Sequence, residues 1–238
     1  NIVGILIINP DNPTGMVYPK PILESIVKLA KEFKLFILAD EIYTNITYNG
    51  VKATQLCEVI GDVCGISMQG ISKEFPWPGS RCGWMEFYNT NKEPEFAGLV
   101  KAVENAKMLE VCSTTLPQMV IPTIMEHPKY KANRKALNLA IQERGDVLYQ
   151  SLCDLPQILI TKTSGAFYNT IVFKPEYVNA EQTLSLDNPV IKTLTESLTH
   201  AQPIDKRFVY YLLAQKGICL VPISSFCSDL LGFRITLL

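Results

Sequence analysis

Several features are scarce or missing in this sequence of 238 residues. Only two histidines are present, His127 and His200, and no Cys-x-x-Cys pair occurs, so we expect no metal site of the zinc type. No apolar run approaches the roughly 18–20 residues that a membrane span needs. Charge of one sign is not in excess, since the formal net charge is −1. That balance argues against a nucleic acid or an anionic membrane surface as a partner.

The sequence also lacks an initiator methionine and opens abruptly with an apolar run over residues 1–8. No basic n-region and no small-residue cleavage site accompany this run, so a signal peptide is not indicated. A start of this kind is typical of the middle of a protein, and we expect the chain to be part of a longer one. The seven cysteines are irregularly spaced and odd in number, which favours reduced thiols in a cytoplasmic protein.

What the sequence does contain is a globular composition, with 47% apolar and 19% charged residues. Its first part alternates between two kinds of pattern. Short apolar runs rich in β-branched residues predict strands over residues 3–8, 35–39, 63–68 and 83–88. Apolar residues at helical spacing predict helices over residues 21–34 and 95–110. Strands and helices in this order predict a mostly parallel sheet.

The pattern changes after a long helix predicted over residues 129–152. Short strands are predicted over residues 158–161, 166–172, 218–221 and 233–237, with a helix over 205–216 and a polar loop over 179–189. We therefore predict an α/β fold of two domains. Residues 1–130 form part of a large domain with a mostly parallel sheet, and residues 131–238 form the linking helix and a small α+β domain.

Polar residues follow three of the predicted strands. Asn12, Asp40 and Lys73 each lie at or just beyond the carboxyl end of such a strand. In open parallel sheets, ligands bind beyond the carboxyl ends of the strands. This convergence alone indicates a ligand site.

Lys73 would ordinarily be a solvated lysine at a strand-to-helix turn. Its neighbours favour another role, because Gly70 and Ser72 precede it and Arg81 follows eight residues later. That spacing lets the chain return an arginine to the pocket of the lysine. A guanidinium group holds phosphate in a bidentate manner, and a partly deprotonated lysine forms a Schiff base with a carbonyl cofactor.

Asp40 ends an apolar run, where a carboxylate is costly unless it is paired. It either caps a helix or forms an ion pair, or it pairs with the pyridinium nitrogen of a cofactor. Tyr43, three residues later, either packs in the ordinary way or points its phenol at the same ring. Asn12 lies in an Asn-Pro-Thr-Gly turn, where asparagine is common for turn reasons alone.

Three segments resemble motifs of the pyridoxal 5'-phosphate (PLP)-dependent class I and II aminotransferases. Residues 9–15 are similar to the N-P-x-N-P-T-G segment, residues 39–43 to the D-E-x-Y strand end, and residues 70–83 to the PLP-attachment motif. The motifs follow the family's order and are close to its spacing, with Asp40 28 positions after Asn12 and Lys73 33 positions after Asp40. Residues 165–168 and 232–235 resemble two landmarks of the small domain, so the resemblance covers nearly the whole chain.

The resemblance implies a fold type I enzyme with PLP as cofactor, which transfers an amino group between an amino acid and a 2-oxo acid. Lys73 would form the Schiff base and shuttle a proton. Asp40 would keep the pyridine nitrogen protonated, and Tyr43 and Asn12 would bind the phenolic oxygen of the cofactor. A cis peptide bond at Asn12–Pro13 is also expected, since X-Pro bonds adopt cis at low cost.

The same resemblance implies how the phosphate and the substrate are held. Arg81 would bind the phosphate, with Gly70 and Ser72 as further cofactor-binding positions. Gly70 stands where many family members have a serine, so only its backbone N–H contributes. Arg234 would bind the substrate α-carboxylate from the small domain, or it is a surface arginine on a strand.

Two alternatives to an aminotransferase stay open. One is a PLP-dependent lyase or decarboxylase of the same fold, which Tyr43 disfavours because some carbon–sulfur lyases have histidine there. The other is a non-catalytic, aminotransferase-like sensor domain of a transcription regulator. The resemblance implies a homodimer in the full-length protein. We further expect this chain to be inactive alone, because family members carry well over a hundred residues before its first position.

Overall fold

The computed structural model describes residues 2–238, which form two compact units. Unit 1 contains residues 2–12, Met16–Leu139 and Ser164–Ala166, and unit 2 contains Pro13–Gly15, Ala140–Thr163 and Phe167–Leu238. The domain boundary predicted at residues 130 and 131 lies at the start of a long helix, whereas the two units divide further along that helix. The domain assignment itself stays a prediction.

Unit 1 is built on a four-stranded sheet. Its strands are β1 (Gly4–Ile8), β2 (Phe36–Asp40), β3 (Gly65–Gly70) and β4 (Gly83–Tyr88), and they are hydrogen-bonded in the order β1-β2-β3-β4. The first three are parallel, as the sequence predicts, but β4 pairs antiparallel with β3. The sheet is therefore mixed.

Four α-helices belong wholly or partly to unit 1. They are α1 (Lys20–Glu32), α2 (Pro94–Met108), α3 (Thr115–Met125) and α4 (Tyr130–Leu152), the last of which continues into unit 2. α3 is absent from the prediction, and it contains Pro122 in its interior, where proline is normally unfavourable. Short 3₁₀ turns occur at Leu56–Glu58 and Pro78–Ser80.

Apolar side chains pack on both faces of this sheet. Ile37 and Ala39 of β2 pack with Leu23 and Ala30 of α1. Their neighbours on β2, Phe36 and Leu38, pack instead with a cluster that contains Phe96 and Val100 of α2. Because successive strand residues point to opposite faces, an almost continuous apolar run serves both layers at once.

Unit 2 contains a smaller sheet. Its strands are β5 (Ile158–Ile160), β6 (Tyr168–Phe173), β7 (Val221–Pro222) and β8 (Gly232–Thr236), hydrogen-bonded in the order β5-β6-β8-β7 and antiparallel throughout. β7 lies three residues later than the predicted start of that strand.

Two helices accompany the sheet of unit 2, α5 (Pro189–Thr199) and α6 (Ile204–Lys216). α6 was predicted and ends at Gly217, whose φ of 69° is the left-handed conformation typical after a helix. α5 was not predicted, although Asn188 caps it by accepting hydrogen bonds from the backbone N–H groups of Val190 and Ile191. Further 3₁₀ turns lie at Pro175–Tyr177 and Ile223–Phe226.

At Gly232, β8 lies so close to β6 that no room remains for a side chain. A Cβ atom at this position would lie 2.1 Å from the carbonyl oxygen of Ile171 and 2.9 Å from the Cα atom of Val172. We expect Gly232→Ala to lower the free energy of unfolding by about 1–3 kcal/mol, as overpacked sites do, in urea unfolding of the protein.

The matched control for Gly232→Ala is Gly98→Ala in α2, where an added Cβ atom meets nothing within 4 Å. Because alanine stabilises a helix interior more than glycine does, the free energy of unfolding of this control should rise by about 0.5–1 kcal/mol. Equal effects of the two substitutions would contradict the proposed backbone contact.

Candidate active site

The carboxyl end of β2 places the first site residue. Asp40 is the last residue of β2 and lies opposite Met68 of β3. The ladder continues one step further, because the backbone N–H of Glu41 donates to the carbonyl of Met68 at 2.9 Å. Oδ1 of Asp40 accepts a hydrogen bond from the backbone N–H of Ile42 at 3.2 Å, so the carboxylate stays at the edge where the chain turns.

Tyr43 and Lys73 are brought together in unit 1. Tyr43 is buried, with 3% of its surface exposed. The Nζ atom of the half-buried Lys73 lies 6.0 Å from the centroid of the Tyr43 ring, which is within the range of a cation–π contact. An amine and a phenol are therefore neighbours, and the phenol follows Asp40 by three residues.

The connection that carries Lys73 differs from the prediction. Residues 71–82 join β3 to the antiparallel β4, and their one helical piece is the 3₁₀ turn Pro78–Ser80. The expected strand-to-helix turn is therefore wrong. The physical reason is the pair Pro76 and Pro78, because proline removes a backbone donor and restricts the residue before it.

The first and last residues of this connection lie next to each other, because they adjoin the paired ends of β3 and β4. Gly70 lies opposite Gly83, and the backbone N–H of Ile71 donates to the carbonyl of Cys82 at 3.3 Å. Ser72 directly follows Ile71 in the sequence, and Arg81 directly precedes Cys82. The closed base thus returns Arg81 to the level of the strand end, and a pocket shared with Lys73 stays a prediction.

Gly70 and Gly83 also explain the absence of a serine at position 70. A Cβ atom on Gly70 would lie 2.9 Å from the carbonyl oxygen of Cys82, and one on Gly83 would lie 2.8 Å from the carbonyl oxygen of Gln69. Cβ atoms essentially never come so close to a backbone atom. The two strands therefore approach at a distance that only glycine permits without a shift of β4.

Arg81 is exposed and adopts the left-handed conformation, with φ of 51°. Its Nη1 atom donates to the carbonyl of Pro78 at 3.0 Å. A guanidinium group has five N–H donors, so this bond leaves capacity for an anion. The exposed guanidinium can therefore hold an anion such as a phosphate.

The turn that follows β1 contains Asn12, which is half-buried. The turn is anchored by the buried Asn9, whose Oδ1 atom accepts a hydrogen bond from the backbone N–H of Tyr18 at 2.9 Å. The cis peptide bond expected at Asn12–Pro13 lies instead at Asn9–Pro10. Both are X-Pro bonds, so the residue types alone do not distinguish them.

Arg234 is the site residue predicted in unit 2. It lies on β8, opposite Thr170 of β6. Its guanidinium carbon is 4.3 Å from the ring centroid of Tyr168 and 5.2 Å from that of Phe226. Two aromatic rings thus restrain a half-buried arginine, an arrangement that suits a planar carboxylate partner better than a flexible surface position does.

Sequence reasoning missed Glu41, which is 5% exposed. Its carboxylate accepts hydrogen bonds from the backbone N–H of Leu56 at 2.5 Å, the hydroxyl of Ser67 at 2.6 Å and the amide of Gln69 at 3.3 Å. Burial raises the pKa of Glu41, the three hydrogen bonds oppose this, and the charge of Glu86 adds to it. The signal in the sequence was a second carboxylate directly after Asp40.

The donor set of unit 1 fits PLP in its chemistry. Lys73 offers a primary amine for the aldehyde, Asp40 a carboxylate for the ring nitrogen, Tyr43 a phenol for the ring oxygen, and Arg81 a guanidinium for the phosphate. Within residues 2–238 no group of three or more histidine, cysteine or acidic side chains could hold a metal ion. In the same range no helix is long and apolar enough to cross a membrane.

Comparisons with known proteins agree with this chemistry. The family model described as "Aminotransferase class I and II" matches residues 1–237. An uncharacterized aminotransferase of Methanocaldococcus jannaschii is 54% identical over 237 residues, which cover 100% of this chain and 55% of that protein. A glutamate–pyruvate aminotransferase, AlaA of Escherichia coli, is 30% identical over 165 residues, which cover 69% of this chain and 40% of the relative.

Solved structures show the same fold. An alanine aminotransferase from Pyrococcus furiosus matches with a TM-score of 0.78 and 28% identity, over 98% of this chain and 52% of that one. An aminotransferase from Escherichia coli matches with a TM-score of 0.80 and 25% identity, over 99% and 52%. The predicted fold class is confirmed. The chain spans about half the length of these relatives.

The buried Glu41 generates a prediction about pH. Because its folded pKa is raised above the ordinary 4.5, the folded state binds more protons than the unfolded state between those two values. Stability is therefore fully present below the unfolded pKa and is lost as the pH rises through the folded pKa. We expect Glu41→Gln to flatten this slope, which is at most about 1.4 kcal/mol per pH unit.

Urea unfolding at several pH values from 4.5 upward would measure that slope. The control is Glu95→Gln at an exposed position in the first turn of α2, which should keep the slope of the unsubstituted protein. A slope that Glu41→Gln leaves unchanged would contradict the assigned shift.

Proposed function

Since the chain belongs to the aminotransferase class I and II family, we propose that it is part of a PLP-dependent enzyme that transfers an amino group between an amino acid and a 2-oxo acid. One observation carries this proposal. The Nζ atom of Lys73 lies 6.0 Å from the centroid of the Tyr43 ring, and Tyr43 follows Asp40, the last residue of β2, by three positions. The family implies PLP as the cofactor.

When bound, PLP supplies a protonated ring that withdraws electrons from the substrate α-carbon. Lys73 would hold the cofactor through Nζ, and its amine would hold and move the proton at the substrate α-carbon. Asp40 keeps the ring nitrogen protonated, because a carboxylate stabilises the positive charge there. Tyr43 and Asn12 hold the phenolic oxygen by donating hydrogen bonds.

The remaining residues hold the charged ends of cofactor and substrate. Arg81 binds the phosphate, with the backbone at Gly70 and the hydroxyl of Ser72 as further donors. Arg234 binds the α-carboxylate of the amino acid, and its two flanking rings support this by restricting the guanidinium. A carboxylate is common to amino acids and 2-oxo acids, so the same arginine serves both half-reactions.

We further propose that these 238 residues supply one side of the pocket, bind PLP weakly alone and turn nothing over. The chain's share of its relatives' length, about half, supports this. A homodimer is supported by apolar side chains exposed before and along α3, namely Met108, Leu109, Val111, Leu116 and Met119. A cytoplasmic location is supported by the seven cysteines, which are all free thiols.

The central prediction concerns Lys73. In the complete protein that contains this chain, added PLP should give a visible absorbance band that Lys73→Ala abolishes. One amino acid should then convert this band into that of the pyridoxamine form. Because Lys73 is also the proton carrier, turnover should fall by at least about 100-fold.

Lys52→Ala serves as the control, since its side chain is largely exposed. A band in the unsubstituted protein that never converts with any amino acid would favour a lyase, a decarboxylase or a sensor domain over a transaminase. A band that survives Lys73→Ala would remove the basis of the proposal. The same titration on the 238-residue chain alone should give a weaker band.

Arg234 can be tested separately from the cofactor. We expect Arg234→Lys to raise the KM for the amino acid and the 2-oxo acid about tenfold or more, because a lysine cannot form the bidentate contact. Steady-state kinetics in both directions would measure this, with the absorbance band as a check that cofactor binding persists. An unchanged KM would assign Arg234 to the packing of Tyr168 and Phe226 alone.

A further inference from the structure

Glu74 directly follows Lys73, and nothing in the roles above uses it. We propose that Glu74 is a positioning residue, which sets Lys73 against the Tyr43 ring by tying three segments of unit 1 together. The inference rests on the proposed function, because it concerns how the cofactor-binding lysine is held.

The Glu74 carboxylate is mostly buried, with 11% of the side chain exposed, and it has three partners. Its Oε1 atom accepts a short hydrogen bond from the hydroxyl of Tyr130 and lies 3.7 Å from Nη1 of Arg134. Its Oε2 atom accepts from the side-chain amide of Asn45 at 2.8 Å. Burial, together with the hydrogen bond to Glu74, raises the pKa of Tyr130 to about 12, so the phenol stays a donor.

One face of α4 receives these contacts. Tyr130 and Arg134 are four residues apart and therefore lie on the same side of the helix. Asn138, four residues further, donates to the carbonyl groups of Asn45 and Thr47, both at 2.9 Å. Helix α4 thus holds the segment that follows Tyr43 directly. Glu74 then links the connection that carries Lys73 both to α4 and to that segment.

An apolar contact supports the same arrangement. Phe75 is buried and its ring stacks on Tyr130, with centroids 5.4 Å apart and 17° between the planes. The connection is therefore held to α4 by a ring and by a carboxylate. Loss of the carboxylate alone leaves the stacking in place, so a variant at Glu74 retains one anchor.

The arrangement has a consequence for the site. Lys73 is one residue before Glu74, and Tyr43 is two residues before Asn45. The hydrogen bond between Asn45 and Glu74 therefore links the two chain segments that carry Tyr43 and Lys73. A carboxylate accepts from all three partners at once, whereas a glutamine has one accepting oxygen. Loss of a carboxylate oxygen leaves a buried donor unsatisfied, and loss of the Tyr130 hydroxyl leaves the carboxylate without one donor, so either change loosens the local network.

The test compares Glu74→Gln and Tyr130→Phe with the unsubstituted complete protein. The first readout needs no cofactor: the rate at which trinitrobenzenesulfonate labels Lys73 in the PLP-free protein, followed by peptide mass spectrometry. We expect both variants to raise this rate, Glu74→Gln by about tenfold, since losing a charged hydrogen bond shifts a local equilibrium by at least that factor.

The second readout is the circular dichroism of the cofactor band, which reports how the bound chromophore is oriented. It should weaken in both variants. In turnover, kcat should fall by about tenfold or more while the KM for the amino acid changes little, because misplacing a reacting group by about 1 Å costs up to roughly 100-fold in rate. Glu143→Gln, exposed on the same helix, is the matched control and should match the unsubstituted protein.

A different result would overturn the inference. If Glu74→Gln and Tyr130→Phe lower the melting temperature but leave both Lys73 labelling and the dichroism unchanged, Glu74 only stabilises the fold. Failure of the proposed function has another signature, namely no Lys73-dependent band in the unsubstituted protein. The labelling rate is measured without PLP, so the two failures are distinguishable.

Discussion

The parallel register of β1, β2 and β3 is the constraint on which the candidate site depends. Ile8, Asp40 and Met68 lie in one row across these strands, so the segments that follow them emerge at one edge of the sheet. Residues far apart in sequence then share one region, because parallel strands end on the same side. The side chains of unit 1 that we assign to PLP lie at a strand end of this row, follow such an end, or lie on the connection that leaves β3.

Much of this frame could be predicted, because its signals are local. An apolar run predicts a buried strand, and helical spacing predicts α1, α2 and α6, whose bounds differ from the prediction by at most two residues. Lys73, Asp40 and Tyr43 were proposed as site residues from short motifs in order. Each of these motifs combines a turn-forming segment with the polar group that the turn presents.

The rest depends on partners that are distant in sequence. The antiparallel direction of β4 follows from a connection that folds back on itself, and no local pattern reports this. α3 forms with Pro122 in its interior, a position that intrinsic propensity disfavours. Glu41 and Glu74 read as ordinary charged residues until their partners are known, and Glu74 finds Tyr130 and Arg134 more than fifty positions later.

Asp40 and Glu41 are consecutive carboxylates with opposite surroundings. Glu41 continues the side of β2 that packs on α1, where it is enclosed by hydrogen-bond donors, while Asp40 belongs to the other side and turns to the strand edge. A slip of one residue would exchange their environments. During evolution β2 can therefore accept many apolar replacements, whereas a single inserted or deleted codon within it would place the wrong acid at the edge.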